Sequence, residues 1–182
     1  MPFYQMTSFV LTLIPLLLMM PACGPRIINW NDPQETASRI EVNYDQFKKI
    51  TTITGPNCAP DPHDDELMLR AWKLESGRIE FQVYISDKYT YEIVRGGLGW
   101  RFYTQAHDNN GEQHPVVQIS RTVNWCGRNT CSYLEVVGVT VTRDYLAAHS
   151  TNGIMLKISG KGGEQIISIP GPYIAAFLKK AV

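Results

Sequence analysis

The sequence predicts an all-β or β-dominated fold: an antiparallel sandwich or partly closed barrel with a short internal helix and a C-terminal helix. Three observations predict it. Isoleucine, valine, threonine and tyrosine recur along the chain, and Gly and Pro interrupt it at short intervals. Apolar residues alternate with polar ones through Ile79–Ile85 and Ile154–Ile158, the two-residue period of a strand with one buried face. Turn signals fall between such runs: Ser76-Gly77, Asn110-Gly111, and the tetrapeptide bracketed by Cys126 and Cys131.

The N-terminus is of a different kind. Residues 9–20 read FVLTLIPLLLMM, apolar apart from Thr12 and Pro15. A run of this length followed by a small residue reads as a secretory signal. It is shorter than the roughly 20 apolar residues that span a bilayer. Met20, Pro21 and Ala22 lead into Cys23, and Gly24 follows. This arrangement resembles the signal of bacterial lipoproteins, in which the cysteine takes a diacylglycerol and becomes the new N-terminus. The resemblance covers residues 1–24. It implies a signal peptide over 1–22, a lipidated tether over 23–31 and a single β-rich domain over 32–182. It also implies a place in the cell envelope, with the membrane as a partner through the anchor. Gly24, rather than Asp, favours the outer membrane, facing the periplasm. Acyl chains contribute about 0.8 kcal/mol per buried CH₂, so an anchor of several chains is effectively permanent.

The remaining elements follow in order. Asp32-Pro33-Gln34-Glu35 is a helix start, with a capping Asp, Pro at the first position and Glu three residues after the cap. The helix is expected to run to about Ser38, with extended chain after it, a strand from Phe47 to Thr54 and a loop from Gly55 to Glu66. A two-residue Ser76-Gly77 turn would pair Leu74 with Ile79 and Trp72 with Phe81. A two-residue Asn110-Gly111 turn would set His107 opposite His114, Phe102 opposite Ile119 and Trp100 opposite Arg121. The Cys126–Cys131 hairpin would pair Arg121 with Val136 and Val123 with Leu134. On these registers Trp100, Phe102, Val117, Ile119, Val123, Leu134 and Val136 share one buried face. Phe81 joins them in the predicted core, while Gln82, Tyr103 and Gln118 are exposed. A bulge near Gly138 would then turn Val137, Val139 and Val141 inward. Thr142 caps a helix to about His149. Ile154, Leu156 and Ile158 begin a hairpin that turns at residues 160–163 and ends at Ile169. Pro170-Gly171-Pro172 opens a last helix with Tyr173, Ile174, Phe177 and Leu178 on one stripe.

Charge and cysteine usage bound the function. Lys plus Arg and Asp plus Glu are each 17, so the chain is formally neutral, and no basic stripe points to nucleic acid. Of the four cysteines, Cys126 and Cys131 are the expected disulfide, facing each other across a hairpin. If Cys23 is lipidated, Cys58 is left over, as a quiet thiol or in another disulfide.

No catalytic pattern emerges. There is no GxSxG elbow, and no spacing places a carboxylate pair. Cys58 with His63, and the acidic run His63–Glu66, are better read as a disulfide or quiet thiol and an exposed loop. His107 and His114 read as a solvated turn, so no metal and no cofactor is expected. Ser159–Glu164 reads as a hairpin tip, not a phosphate loop. Trp125, Arg128 and Tyr133 beside the disulfide form a candidate partner-binding tip, since aromatics and Arg on a rigid tip are what interface hot spots use. The function expected is therefore a non-catalytic envelope lipoprotein that binds or stabilises another envelope protein. One alternative is a periplasmic inhibitor module, similar to the small β lipoproteins that block lysozymes. Another is a periplasmic enzyme with no visible motif.

Overall fold

The structure, a computed structural model, describes residues 28–62, 65–92 and 99–182. The signal segment, Cys23, His63 and Asp64 lie outside the described residues. The domain is β-dominated. Its elements are α1 (Pro33–Ser38), β1 (Glu41–Asp45), β2 (Ile50–Thr54), β3 (Glu66–Leu74), β4 (Ile79–Glu92), β5 (Tyr103–Asp108), β6 (Gln113–His114), β7 (Val116–Cys126), β8 (Thr130–Val141), α2 (Arg143–Ala148), β9 (Ile154–Gly160), β10 (Gly163–Ile169) and α3 (Gly171–Lys180). They form two antiparallel sheets, a six-stranded one in the order β1-β2-β3-β4-β8-β7 and a four-stranded one in the order β10-β9-β5-β6. Among the described residues no closed barrel forms.

The core draws on both sheets and on two helices. Leu69, Ala71, Val83, Ile85, Val137 and Val139 come from the larger sheet, Ala106, Leu156, Ile158 and Ile169 from the smaller one. Leu146 of α2 and Tyr173, Ile174 and Phe177 of α3 complete it. The helices start where their caps say: Asp32 accepts the N–H groups of Gln34 and Glu35, and Thr142 accepts that of Tyr145. The expected strand from Phe47 begins only at Ile50, because Asp45 accepts the N–H groups of Phe47 and Lys48 and folds them into a turn.

Two hairpins depart from the expected register for one reason. Leu74 N–H bonds Arg78 O and Lys73 faces Ile79, so the loop holds three residues, not two. Asp108 N–H bonds Glu112 O and His107 faces Gln113, again a three-residue loop. In each loop the last residue, Gly77 or Gly111, sits at φ +84°, the left-handed conformation that three-residue hairpins need in that place. The extra residue moves the pairing by one and exchanges the faces. Phe81 therefore stands opposite Ala71, not Trp72, and Gln82 is buried against Arg70 on the other face.

The second expected hairpin does not continue as a meander. β6 ends after His114, Pro115 follows, and β7 pairs with β8 in the other sheet. Phe102 and Ile119 are thus not partners. Ile119 is exposed, Phe102 is half-buried outside any strand, and Tyr103 is only 1% exposed, the reverse of expectation. Val137, Val139 and Val141 do face the core, yet without a bulge at Gly138, since β8 keeps one register along β4. The irregularities lie on β7, at Ile119 and Asn124, and they set Arg121 opposite Glu135 and Val123 opposite Tyr133.

Candidate functional site

β4 and β8 carry an inward stripe that changes character along its length. Phe81, Val83 and Ile85 on β4, with Val141, Val139 and Val137 on β8, face the apolar core. The same parity continues into Asp87, Tyr89 and Tyr91, opposite Glu135, Tyr133 and Cys131. There the partner layer is the backbone of residues 99–103, and backbone N–H groups buried away from water require acceptors.

Glu135 supplies them and is 0% exposed. Its Oε1 accepts the Tyr103 N–H at 2.9 Å and Arg121 Nε at 3.1 Å. Its Oε2 accepts the Phe102 N–H at 3.1 Å and the Tyr89 hydroxyl at 3.3 Å. Asp87 Oδ2 accepts Arg101 Nη1 at 2.6 Å and the Tyr103 hydroxyl at 2.7 Å. Tyr89 in turn accepts the Arg101 N–H, and the Arg101 guanidinium lies 4.1 Å over the Tyr89 ring. Burial pushes the Tyr89 hydroxyl up to about 12. Phe102 is held at φ +54°, a strained conformation for a bulky residue that persists because Glu135 grips the N–H groups of both Phe102 and Tyr103.

Chemically, this cluster is a clamp. Glu135 is filled by four donors and closed to solvent, so it has no lone pair free to take a substrate proton. What the cluster does is fix the crossover from the larger sheet to the smaller one.

Beyond the clamp lies the disulfide tip. Cys126 and Cys131 are bonded, with Cα atoms 4.0 Å apart. Trp125 pairs with Ser132, is 60% exposed, and lays its ring over Gly127, where a Cβ would stand 2.7 Å from Cη2. Arg128 is exposed at the turn. Tyr133 is not beside them: it faces the other way, stacked on Tyr89 at 5.7 Å and edge-on to Trp100 at 4.7 Å. Arg121, expected opposite Trp100, lies instead over the Phe102 ring, at 4.8 Å.

β7 joins tip and clamp and is the last strand of its sheet. Among the described residues it pairs on one side only, with β8. Val117, Ile119, Val123 and Trp125 are exposed along it. Its single charged residue, Arg121, is committed to Glu135. Edge strands are ordinarily shielded by lysine, proline or bulges. Here the bulges at Ile119 and Asn124 are the only such device within the strand.

Cys58 is free and buried, its thiol donating to Leu67 O at 3.2 Å. Burial pushes that thiol up to about 12, so it is not a thiolate at neutral pH. Among the described residues no helix is long and apolar enough to cross a membrane. Compared with known protein families, curated proteins and solved structures, the chain matches none.

The sequence reading missed Asp87, Glu135 and Arg101. A signal existed for the two acids: each stands at an inward position of an otherwise apolar alternation, where an ionised group must have partners.

Proposed function

We propose that the chain is a non-catalytic binding protein of the bacterial cell envelope, anchored by a lipid on Cys23, whose strand β7 and disulfide tip receive another envelope protein. The observation that carries the reading is β7: eleven residues long, hydrogen-bonded to a neighbour on one side only, with Val117, Ile119, Val123 and Trp125 exposed among polar residues and its one charge already paired. An open edge offers backbone donors and acceptors to an added strand, and exposed side chains supply the selectivity. The partner segment is therefore extended and apolar at alternate positions, with Trp125 as its anchor on this side. The two bulges break the edge into short runs, which disfavours pairing between copies of this chain. The envelope location rests on the resemblance of residues 1–24 to lipoprotein signals.

Photo-crosslinking in intact cells tests both parts. A crosslinker replacing Val117, Val123 or Trp125 is expected to capture one envelope protein. The same group at Tyr44, on the opposite edge of the sheet, is not. Adducts from Tyr44 alone, or none from β7, would sink the reading. Trp125→Ala is expected to lose the adducts made from Val123 while the melt stays within about 1 kcal/mol of wild type. A fatty-acid analogue should label the wild type and not Cys23→Ser, and equal labelling would remove the anchor from the proposal.

The disulfide-closed turn with Arg128 at its end favours one second reading, an inhibitor module that inserts this loop into a lysozyme. Inhibition of a lysozyme by the purified protein, abolished in Arg128→Ala, would decide for it.

A further inference from the structure

The hairpin between β5 and β6 exposes its turn, residues 109–112, as its sequence suggests, but His114 is not solvated with it. Ala106 faces Ile158 and Asp108 faces Leu156 across β9, while Ala106 faces His114 across β6. Directly opposed residues share a face, so Asp108 and His114 both point to the side that buries Leu156 and Ile158. His114 is 5% exposed and Asp108 8%. His107, expected opposite His114, lies on the other face.

His114 Nε2 is buried and has no hydrogen-bond partner. Leaving a buried polar atom unpaired costs about 1–3 kcal/mol, so such an atom calls for an explanation. A ring nitrogen of His114 and carboxylate oxygens of Asp108 and Glu112 lie within 4.8 Å of one another. The turn aims the first carboxylate. Asp108 Oδ1 accepts the N–H groups of Asn110 and Glu112, both at 2.8 Å. Its Oδ2 has only two long contacts, Asn110 Nδ2 and the Tyr145 hydroxyl, each at 3.4 Å. Tyr145 of α2 also packs its ring against His114, centroids 4.4 Å apart, and His149 lies on the other ring contact of Tyr145 at 4.3 Å. Glu112 is exposed and free to swing.

We propose that Asp108, Glu112 and His114 form a binding site for a divalent transition-metal ion of the zinc class. The donor set decides the class. An imidazole with two carboxylates suits zinc and its neighbours, whereas calcium takes oxygen ligands alone. Asp108 Oδ2 and the empty His114 nitrogen are the fixed ligands, and Glu112 closes over the ion. Zinc to oxygen or nitrogen distances are about 2.0–2.2 Å, so the ligand atoms of a tetrahedral site stand about 3.3–3.6 Å apart. The three ligand atoms lie within 4.8 Å of one another, so they draw together by about 1 Å on binding, and the exposed Glu112 side chain has the most room to move. Tyr145, bonded to Asp108 and packed on His114, holds both ligands in orientation, as outer-shell partners of metal sites do. A bound ion thus ties the β5–β6 hairpin to α2.

Zinc titrated calorimetrically into the metal-free full-length protein in detergent, with calcium as the control, tests this. One equivalent of zinc is expected, and no calcium. Glu112→Gln, at an exposed position, should weaken zinc binding at least tenfold. His114→Phe, which keeps the ring packing, should abolish it, with the circular dichroism of both variants unchanged. Zinc should raise the melting temperature of the wild type and leave that of His114→Phe where it is. Absence of stoichiometric zinc uptake by the wild type, uptake that neither variant weakens, or equal uptake of calcium would each overturn the assignment.

Discussion

Two carboxylate clusters lie at the margins of the core, and they differ in how fully they are satisfied. Around Glu135 every acceptor position is taken, by two backbone N–H groups, one arginine and one hydroxyl. Around Asp108 the near oxygen is filled by the turn, the far one has only long contacts, and the neighbouring His114 Nε2 has none. Both carboxylates stand on the inward face of a strand. The contrast separates two uses of a buried polar group. A saturated cluster spends all its bonding capacity on holding the chain, whereas an incomplete one retains capacity for something outside the chain.

Substitutions can break this contrast. Glu135→Ala should have the largest effect. It leaves the Phe102 and Tyr103 N–H groups and Arg121 without their acceptor, a loss of about 3–5 kcal/mol in denaturant melts. That is a large part of the stability of a typical domain. A loss near zero would mean the clamp is not structural. Asp87→Asn should cost less, about 1–2 kcal/mol at neutral pH, and should change the pH dependence. Burial holds the Asp87 carboxyl above the usual range, although the Tyr103 hydroxyl and Arg101 pull it down. The folded chain therefore binds this proton more tightly than the unfolded one. Stability from this group falls as pH rises from the ordinary carboxylate value, about 4, through the raised one, and is level above it. Subtracting the Asp87→Asn melts from those of the wild type should isolate that decline, and a flat difference would remove it. The smallest effect belongs to His114→Phe, which replaces an unpaired buried nitrogen by carbon and should stay within about 1 kcal/mol of wild type without metal. A loss as large as that of Glu135→Ala would show that both clusters are closed.

Much of the architecture is legible in the sequence. Alternation locates β4 and β9, and the turn signals beside them place their hairpin partners β3 and β10. Asp32 and Thr142 mark two helix starts, and the Cys126–Cys131 bracket marks the tip. Parity is less legible, for an identifiable reason. A glycine near the end of a short turn serves a two-residue loop and a three-residue loop equally well, and the choice moves every later partner by one. At Gly77 that choice put Trp72 in the place of Ala71. At Gly111 it set His107 opposite His114, and it hid the burial of His114 beside Asp108. The passage of the chain from one sheet to the other at Pro115 has no local signature at all, because it depends on which strand β7 finds. The clamp was missed because its members come from four separate segments, and only the inward parity of Asp87 and Glu135 hints at it.

Tyr173 has a bearing on the order in which this domain can assemble. Its hydroxyl donates to Pro56 O at 2.8 Å and accepts the Leu69 N–H at 3.2 Å, reaching back across 117 and 104 residues. Ile174 and Phe177 beside it are wholly enclosed. Strands β2 and β3, made early, therefore keep an uncovered apolar face until α3 arrives. Contacts this distant in sequence form late and slowly. The full core of the domain can therefore close only once α3 is available. The same delay leaves the early strands exposed to aggregation in the meantime.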